Sequence, residues 1–143
     1  MRRSVPVLAC VFLLLGSGFL PALSRADLDR ITDVSITLKT LADVAAGKAP
    51  LPTSRLIMLT GTVSDVNIIN KDQPTFRVRI ELLSGEWFGE DDVKAYACYV
   101  DFSGAEYFKV FPAKLPANAA PGLIGLSSRL LIIGRAVSVT TTP

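Results

Sequence analysis

Over residues 75–82 apolar and polar side chains alternate without a break. Phe76, Val78, Ile80 and Leu82 are apolar, and Thr75, Arg77, Arg79 and Glu81 between them are polar. Successive side chains of a strand point to opposite faces, so this run predicts a strand with one face in a core and the other in water. Residues 56–69 are rich in β-branched and apolar types, with Gly61 in their middle, and residues 93–102 form a similar run. A glycine inside a strand pattern predicts a bulge or a sharp bend. Asn70-Lys71-Asp72-Gln73-Pro74 has the composition of a turn, and residues 84–92 read as a loop. Residues 113–125, with Pro116 and Pro121, read as a long connection, and residues 129–140 predict a closing strand around Gly134.

The period changes in the segment before these strands. Leu28, Ile31, Val34, Leu38, Leu41 and Ala45 recur every three or four residues, which predicts one helix over residues 27–47. Gly47 stops it, and Pro50 and Pro52 follow. A strand at residues 34–38 is the competing reading. Residues 103–112 carry two signals. Ser103 and Glu106 match a helix capping box, while Ser103-Gly104 suits a hairpin turn and Tyr107, Phe108, Val110 and Phe111 favour a strand. The strand is the preferred expectation.

Upstream, a basic start (Arg2, Arg3), an apolar run over residues 5–20 and small residues ending at Ala26 have the order of a Sec-type secretory signal peptide. The expected product begins at Asp27 and is periplasmic or extracellular. Contact with a membrane is expected only if the leader is kept as an anchor. The expected organisation is a leader over residues 1–26, a helix and Pro-containing joint over 27–52, and one β domain over 53–143.

Removal of the leader changes the charge. Taking Arg2, Arg3 and Arg25 from 15 basic residues leaves 12 against 13 acidic ones, a net charge of −1. Nucleic-acid binders display a clustered basic face, so this balance argues against one. Cys10 leaves with the leader, and Cys98, within an apolar run, is expected to be a buried, inert thiol. Histidine is absent, which removes the commonest general base and the commonest metal ligand. No phosphate loop or nucleophile motif occurs. Glu90, Asp91 and Asp92 lack the spacing of a calcium loop. These features lead to the expectation of a protein without enzymatic activity, metal or cofactor.

Leu59-Thr60-Gly61-Thr62-Val63 and Leu130-Leu131-Ile132-Ile133-Gly134-Arg135-Ala136-Val137 share an apolar-x-Gly-x form. With the intervening strands, the pattern resembles an oligonucleotide/oligosaccharide-binding (OB) domain of the bacterial tRNA-anticodon-binding-like group. The resemblance implies a mainly β fold, a small five-stranded OB-like barrel preceded by one N-terminal helix. Since the chain stops soon after the second glycine strand, the fifth strand would come from residues 105–111 or be missing. OB barrels bind extended ligands across their second and third strands. That face would carry Thr75, Arg77, Arg79 and Glu81, joined by Lys94 and Tyr96. Trp87 and Phe88, in the loop between the strands, either anchor a ligand or fold back to plug the barrel. The resulting expectation is an exported, non-enzymatic binding or accessory protein whose partner is an envelope protein or oligosaccharide. The competing readings are a single-strand nucleic-acid-binding domain and a carboxylate-based hydrolase.

Overall fold

The alternating run lies in the centre of the sheet, and its apolar members are its most buried residues. In a computed structural model, which describes residues 24–116 and 119–140, Phe76, Val78, Ile80 and Leu82 are all at most 2% exposed. The expected leader's apolar run and Cys10 lie outside the described residues. The chain divides into two compact units, residues 1–31 and 32–143.

The first unit contributes helix α1 (Arg25–Ile31), which buries no residue. Ser24 Oγ donates to Asp27 Oδ2 at 2.7 Å, and the Asp27 N–H donates back to Ser24 Oγ at 3.2 Å. This local exchange satisfies donors at the helix start.

The second unit opens with β1 (Thr32–Asp33), followed by α2 (Leu38–Ala45), β2 (Leu56–Asn70), β3 (Arg77–Phe88), β4 (Asp92–Ser103) and β5 (Arg129–Gly134). The single helix expected over residues 27–47 is therefore not formed. Thr32 is buried and pairs with Leu56 in a parallel bridge. Asp33 then accepts the Ser35 N–H at 3.0 Å, turning the chain. Thr37 starts α2 afresh, accepting the Thr40 N–H at 3.2 Å in a reciprocal capping box. β-Branched Thr32, Val34 and Ile36, together with local Asp and Thr hydrogen bonding, outweigh the helical spacing.

β2, β3 and β4 form an antiparallel meander, and β5 returns to pair with β2. β2 changes partner along its length. Residues Ile57 to Thr62 bond β5, and Thr62 to Asn70 bond β3. Gly61 sits at this crossover, where a Cβ would lie 2.7 Å from Leu82 Cγ and 2.8 Å from the Leu83 carbonyl oxygen. Glycine is required there because two strands approach too closely for any side chain. The bulge itself falls a little further on, between Val63 and Asp65.

Two groups of buried residues form the core: Val63, Phe76, Val78, Ile80 and Phe111, and Leu38, Ile57, Leu59 and Leu82. Val100, Leu130 and Ile132 pack against both. Leu38 brings α2 onto the inner face of the sheet, so the segment from Thr32 onward belongs to the same unit as the strands.

Residues 105–111 are not a strand. Gly104 has a φ of +138°, and a 3₁₀ turn follows over Ala105–Tyr107. No side chain caps this turn. The Phe111 N–H bonds the Tyr107 carbonyl at 3.2 Å. This coil carries Phe111, 2% exposed, into the core against Phe102, with ring centroids 5.1 Å apart. Burying a side chain of this size contributes about 1.5–3 kcal/mol. The consequence is that no fifth barrel strand forms from this segment among the described residues. The described sheet has five strands only by counting two-residue β1, and it is not closed into a barrel. β5 also stops at Gly134, short of the expected Thr140.

Candidate functional site

The β3–β4 hairpin is longer than expected. Residues 84–88 and 92 belong to strands, and only residues 89–91 remain as the turn, with Gly89 at a φ of +77°. Pairing of Phe88 with Asp92 fixes the register from that turn to Arg77 opposite Ser103, without a bulge.

Register then assigns faces. The outer face carries Arg77, Arg79, Glu81, Leu83, Gly85 and Trp87 on β3. Their opposite residues on β4 are Ser103, Asp101, Tyr99, Ala97, Ala95 and Val93. Tyr96 pairs with Ser84, Lys94 with Glu86 and Asp92 with Phe88, all on the other face. The six candidate residues are thus divided. Arg77, Arg79 and Trp87 share the outer face, whereas Phe88, Lys94 and Tyr96 do not join them. A shift of one residue in register exchanges the two faces, and the hairpin turn sets that register.

The inner-side residues near the turn have their own packing. Lys39 of α2 lies 3.1 Å from Glu86 Oε2 and 5.4 Å from the centroid of the Phe88 ring, and Lys94 lies 4.7 Å from the same centroid. Tyr96 packs against the Leu38–Leu82 part of the core. These contacts tie α2 to the hairpin and give the residues a structural occupation.

The outer face is unusual for the solvated side of an antiparallel sheet, which is ordinarily polar. Trp87 is 72% exposed beside Val93, and Tyr99 is 47% exposed. Gly85, Ala95 and Ala97 lie between them, all exposed, with Leu83 beside Ala97. They make a low apolar floor with an aromatic side chain at each end. From Trp87 to the Glu81–Tyr99 pair is six residues of strand, about 20 Å at ~3.4 Å per residue. Trp87 therefore does not plug the sheet; its ring stands in water.

Polar groups close the Tyr99 end. Arg79 donates through Nε to Asp101 Oδ1 at 2.7 Å and through Nη2 to Oδ2 at 2.9 Å. The guanidinium also lies 5.7 Å from the Tyr99 ring centroid. The bidentate bonds hold the Asp101 carboxyl below the usual carboxylate range. A notch of about 400 Å³ adjoins the floor, lined by Thr60, Thr62, Leu83, Gly85, Arg129 and Leu131 among others.

Tyr99, Leu83 and Val93 were not among the sequence candidates. The signal that identifies them is the hairpin register, which places Tyr99 directly across from Glu81. On the inner side, burial pushes the Cys98 thiol up to about 11, which keeps it protonated and unreactive. Among the described residues no group of His, Cys, Asp and Glu is arranged to hold a metal ion, and no helix is long and apolar enough to cross a membrane. Comparison with protein-family models, curated proteins and solved structures finds no match for this chain.

Proposed function

We propose that the protein is an exported, non-enzymatic binding module and that the outer face of the β3–β4 hairpin is its working surface. The observation that carries this reading is the row of exposed Trp87, Val93, Leu83 and Tyr99 over a Gly/Ala floor. Solvated strands ordinarily avoid such a row, and aromatic residues are the types that most often dominate interface energies. The meander with a return strand on β2 supports the kinship with OB domains proposed from the glycine strands. The second and third strands of the meander would present the ligand face in that group. The leader-like start and the −1 charge of the remaining chain favour a partner in the envelope over nucleic acid.

The test uses the single tryptophan as the probe. Envelope and culture-medium fractions are passed over immobilised wild-type protein and over its Trp87→Ala and Tyr99→Ala variants. A ligand retained by the wild type should be lost from both variants, whose thermal midpoints should stay within a few degrees of wild type. Equal retention by all three proteins would refute the assignment of the surface.

A further inference from the structure

We infer that residues 135–139 are a strap that pairs with the free edge of β4, antiparallel and with Ala136 opposite Val100, so that the sheet has an open and a closed arrangement. β4 bonds only β3, and β5 bonds only β2. The two strands border one cleft, lined on one side by residues 97–103 and on the other by residues 132–140. Past Gly134 the ladder ends, and no backbone hydrogen bond joins residues 135–140 to another segment among the described residues. The two faces of the strand nevertheless continue beyond its end. Leu130, Ile132 and Ala136 pack against the core, while Leu131, Ile133 and Val137 are exposed. The tail thus enters the cleft in strand phase, and β-branched Val137 and Val139 favour extended backbone.

Direction and register follow from the existing ladders. β5 is antiparallel to β2, β2 to β3 and β3 to β4, so the tail runs antiparallel to β4. Core-facing residues must meet core-facing ones, since a slip of one residue exchanges the faces. Val100 and Ala136, at the centres of the two walls, satisfy this. Their pairing sets Phe102 against Gly134 on the inner side, large against small. On the outer side it sets Arg135 against Asp101, Val137 against Tyr99 and Val139 against Ala97. Arg135 is exposed and belongs to neither of the described ion pairs. It can therefore share the Asp101 carboxylate with Arg79 across the new pair. A register two residues nearer the hairpin turn sets Arg135 against Tyr99 and forgoes that attraction. Closure seals the cleft and adds Val137 beside Tyr99, widening the exposed apolar row of the hairpin.

The test is disulfide trapping in the full chain carrying Cys10→Ser and Cys98→Ala. Diamide is the oxidant and takes up the two electrons and two protons that a pair of thiols releases. In the inferred register Ala97→Cys and Val139→Cys stand directly opposite, with Cα atoms about 4.5–5.5 Å apart and within disulfide reach. Ala95→Cys with Val139→Cys is a diagonal pair at about 7–8 Å, beyond it. All three positions are exposed, so the substitutions leave the core intact. The opposite pair should close within one chain roughly tenfold faster than the diagonal pair. Adding Arg135→Glu, which sets like charge against Asp101, should slow closure severalfold, and Arg135→Lys should not. Equal rates for the two pairs, a rate no greater than in urea, a bond formed between chains, or an Arg135→Glu variant that closes as fast as its parent would each overturn the inference.

Discussion

Two glycines occupy equivalent places in the two apolar-x-Gly-x strands, and the structure predicts opposite responses to the same substitution. In Gly61→Ala the new methyl carbon would stand 2.7 Å from Leu82 Cγ and 2.8 Å from the Leu83 carbonyl oxygen. Neither neighbour yields easily. Leu82 is fully buried between α2 and β5 residues, and Leu83 O is backbone in the β2–β3 ladder. Overpacking a tight site costs about 1–3 kcal/mol. At a few degrees per kcal/mol for a domain of this size, the midpoint should fall by roughly 3–15 °C. Gly134→Ala places its methyl where nothing lies within 4 Å, at a backbone angle open to any residue. Reducing the freedom of the unfolded chain should make it neutral or more stable by about 0.4–1 kcal/mol. Urea unfolding followed by far-UV circular dichroism, with the slope compared to confirm a common unfolded state, measures both. Equal shifts for the two variants, or a Gly61→Ala protein as stable as wild type, would refute the close-approach account of the β2 crossover.

Other expectations follow from burial and charge. Ile80→Ala should cost about 2–5 kcal/mol, as truncation of a fully buried aliphatic does, whereas Leu131→Ala, 61% exposed, should change stability by less than about 0.5 kcal/mol; denaturant melts of both decide whether the faces are assigned correctly. Cys98 should resist a thiol reagent at neutral pH in the folded protein and react at once in denaturant. Its thiol is raised above its ordinary value of 9.0 to about 11, so the stability it contributes is complete below pH 9 and is lost as pH rises towards 11; a midpoint that is flat over that range in wild type and in Cys98→Ala alike would contradict this. Asp101 is displaced downward, so its contribution is present above the ordinary carboxylate range and fades as pH falls. The difference in midpoint between wild type and Asp101→Asn should shrink on acidification.

The alternation from Thr75 to Leu82 was sufficient to place the first half of β3 and its buried face, because a period of two over eight residues has no helical counterpart; Thr75 itself lies in a 3₁₀ turn, and the strand runs from Arg77 on to Phe88. Where periods compete, the sequence was less informative. The spacing of Leu28, Ile31, Val34 and Leu38 is helical, yet burial of Thr32 beside Leu56 and the Thr37 cap divide the segment into a bridge and two short helices. Phe108 and Phe111 have strand propensity, but their segment coils and inserts Phe111 beside Phe102. For the site, residue types were legible and their grouping was not. Arg79 and Trp87 were recognisable as candidates from composition. Assigning Tyr99 rather than Tyr96 to their face required knowing that the turn spans residues 89–91, and turn length is not encoded in the strand pattern.

An open sheet has edges, and a closed barrel has none. β4 bonds only β3, and the far side of β5 has no ladder partner among the described residues. Between residues 97–103 and residues 132–140 runs a cleft of about 880 Å³ whose walls include Cys98, Val100, Phe102, Ile132 and Ala136. Main-chain donors and acceptors on such an edge are a template for any extended chain that reaches them. Residues 136–140, Ala-Val-Ser-Val-Thr, have strand-favouring composition and lie along that opening without belonging to the ladder. The fold therefore keeps its own candidate for the vacant position tethered at the site, at an effective concentration far above that of any competing chain. Shortening this tail should make the protein more prone to edge-to-edge self-association as its concentration rises.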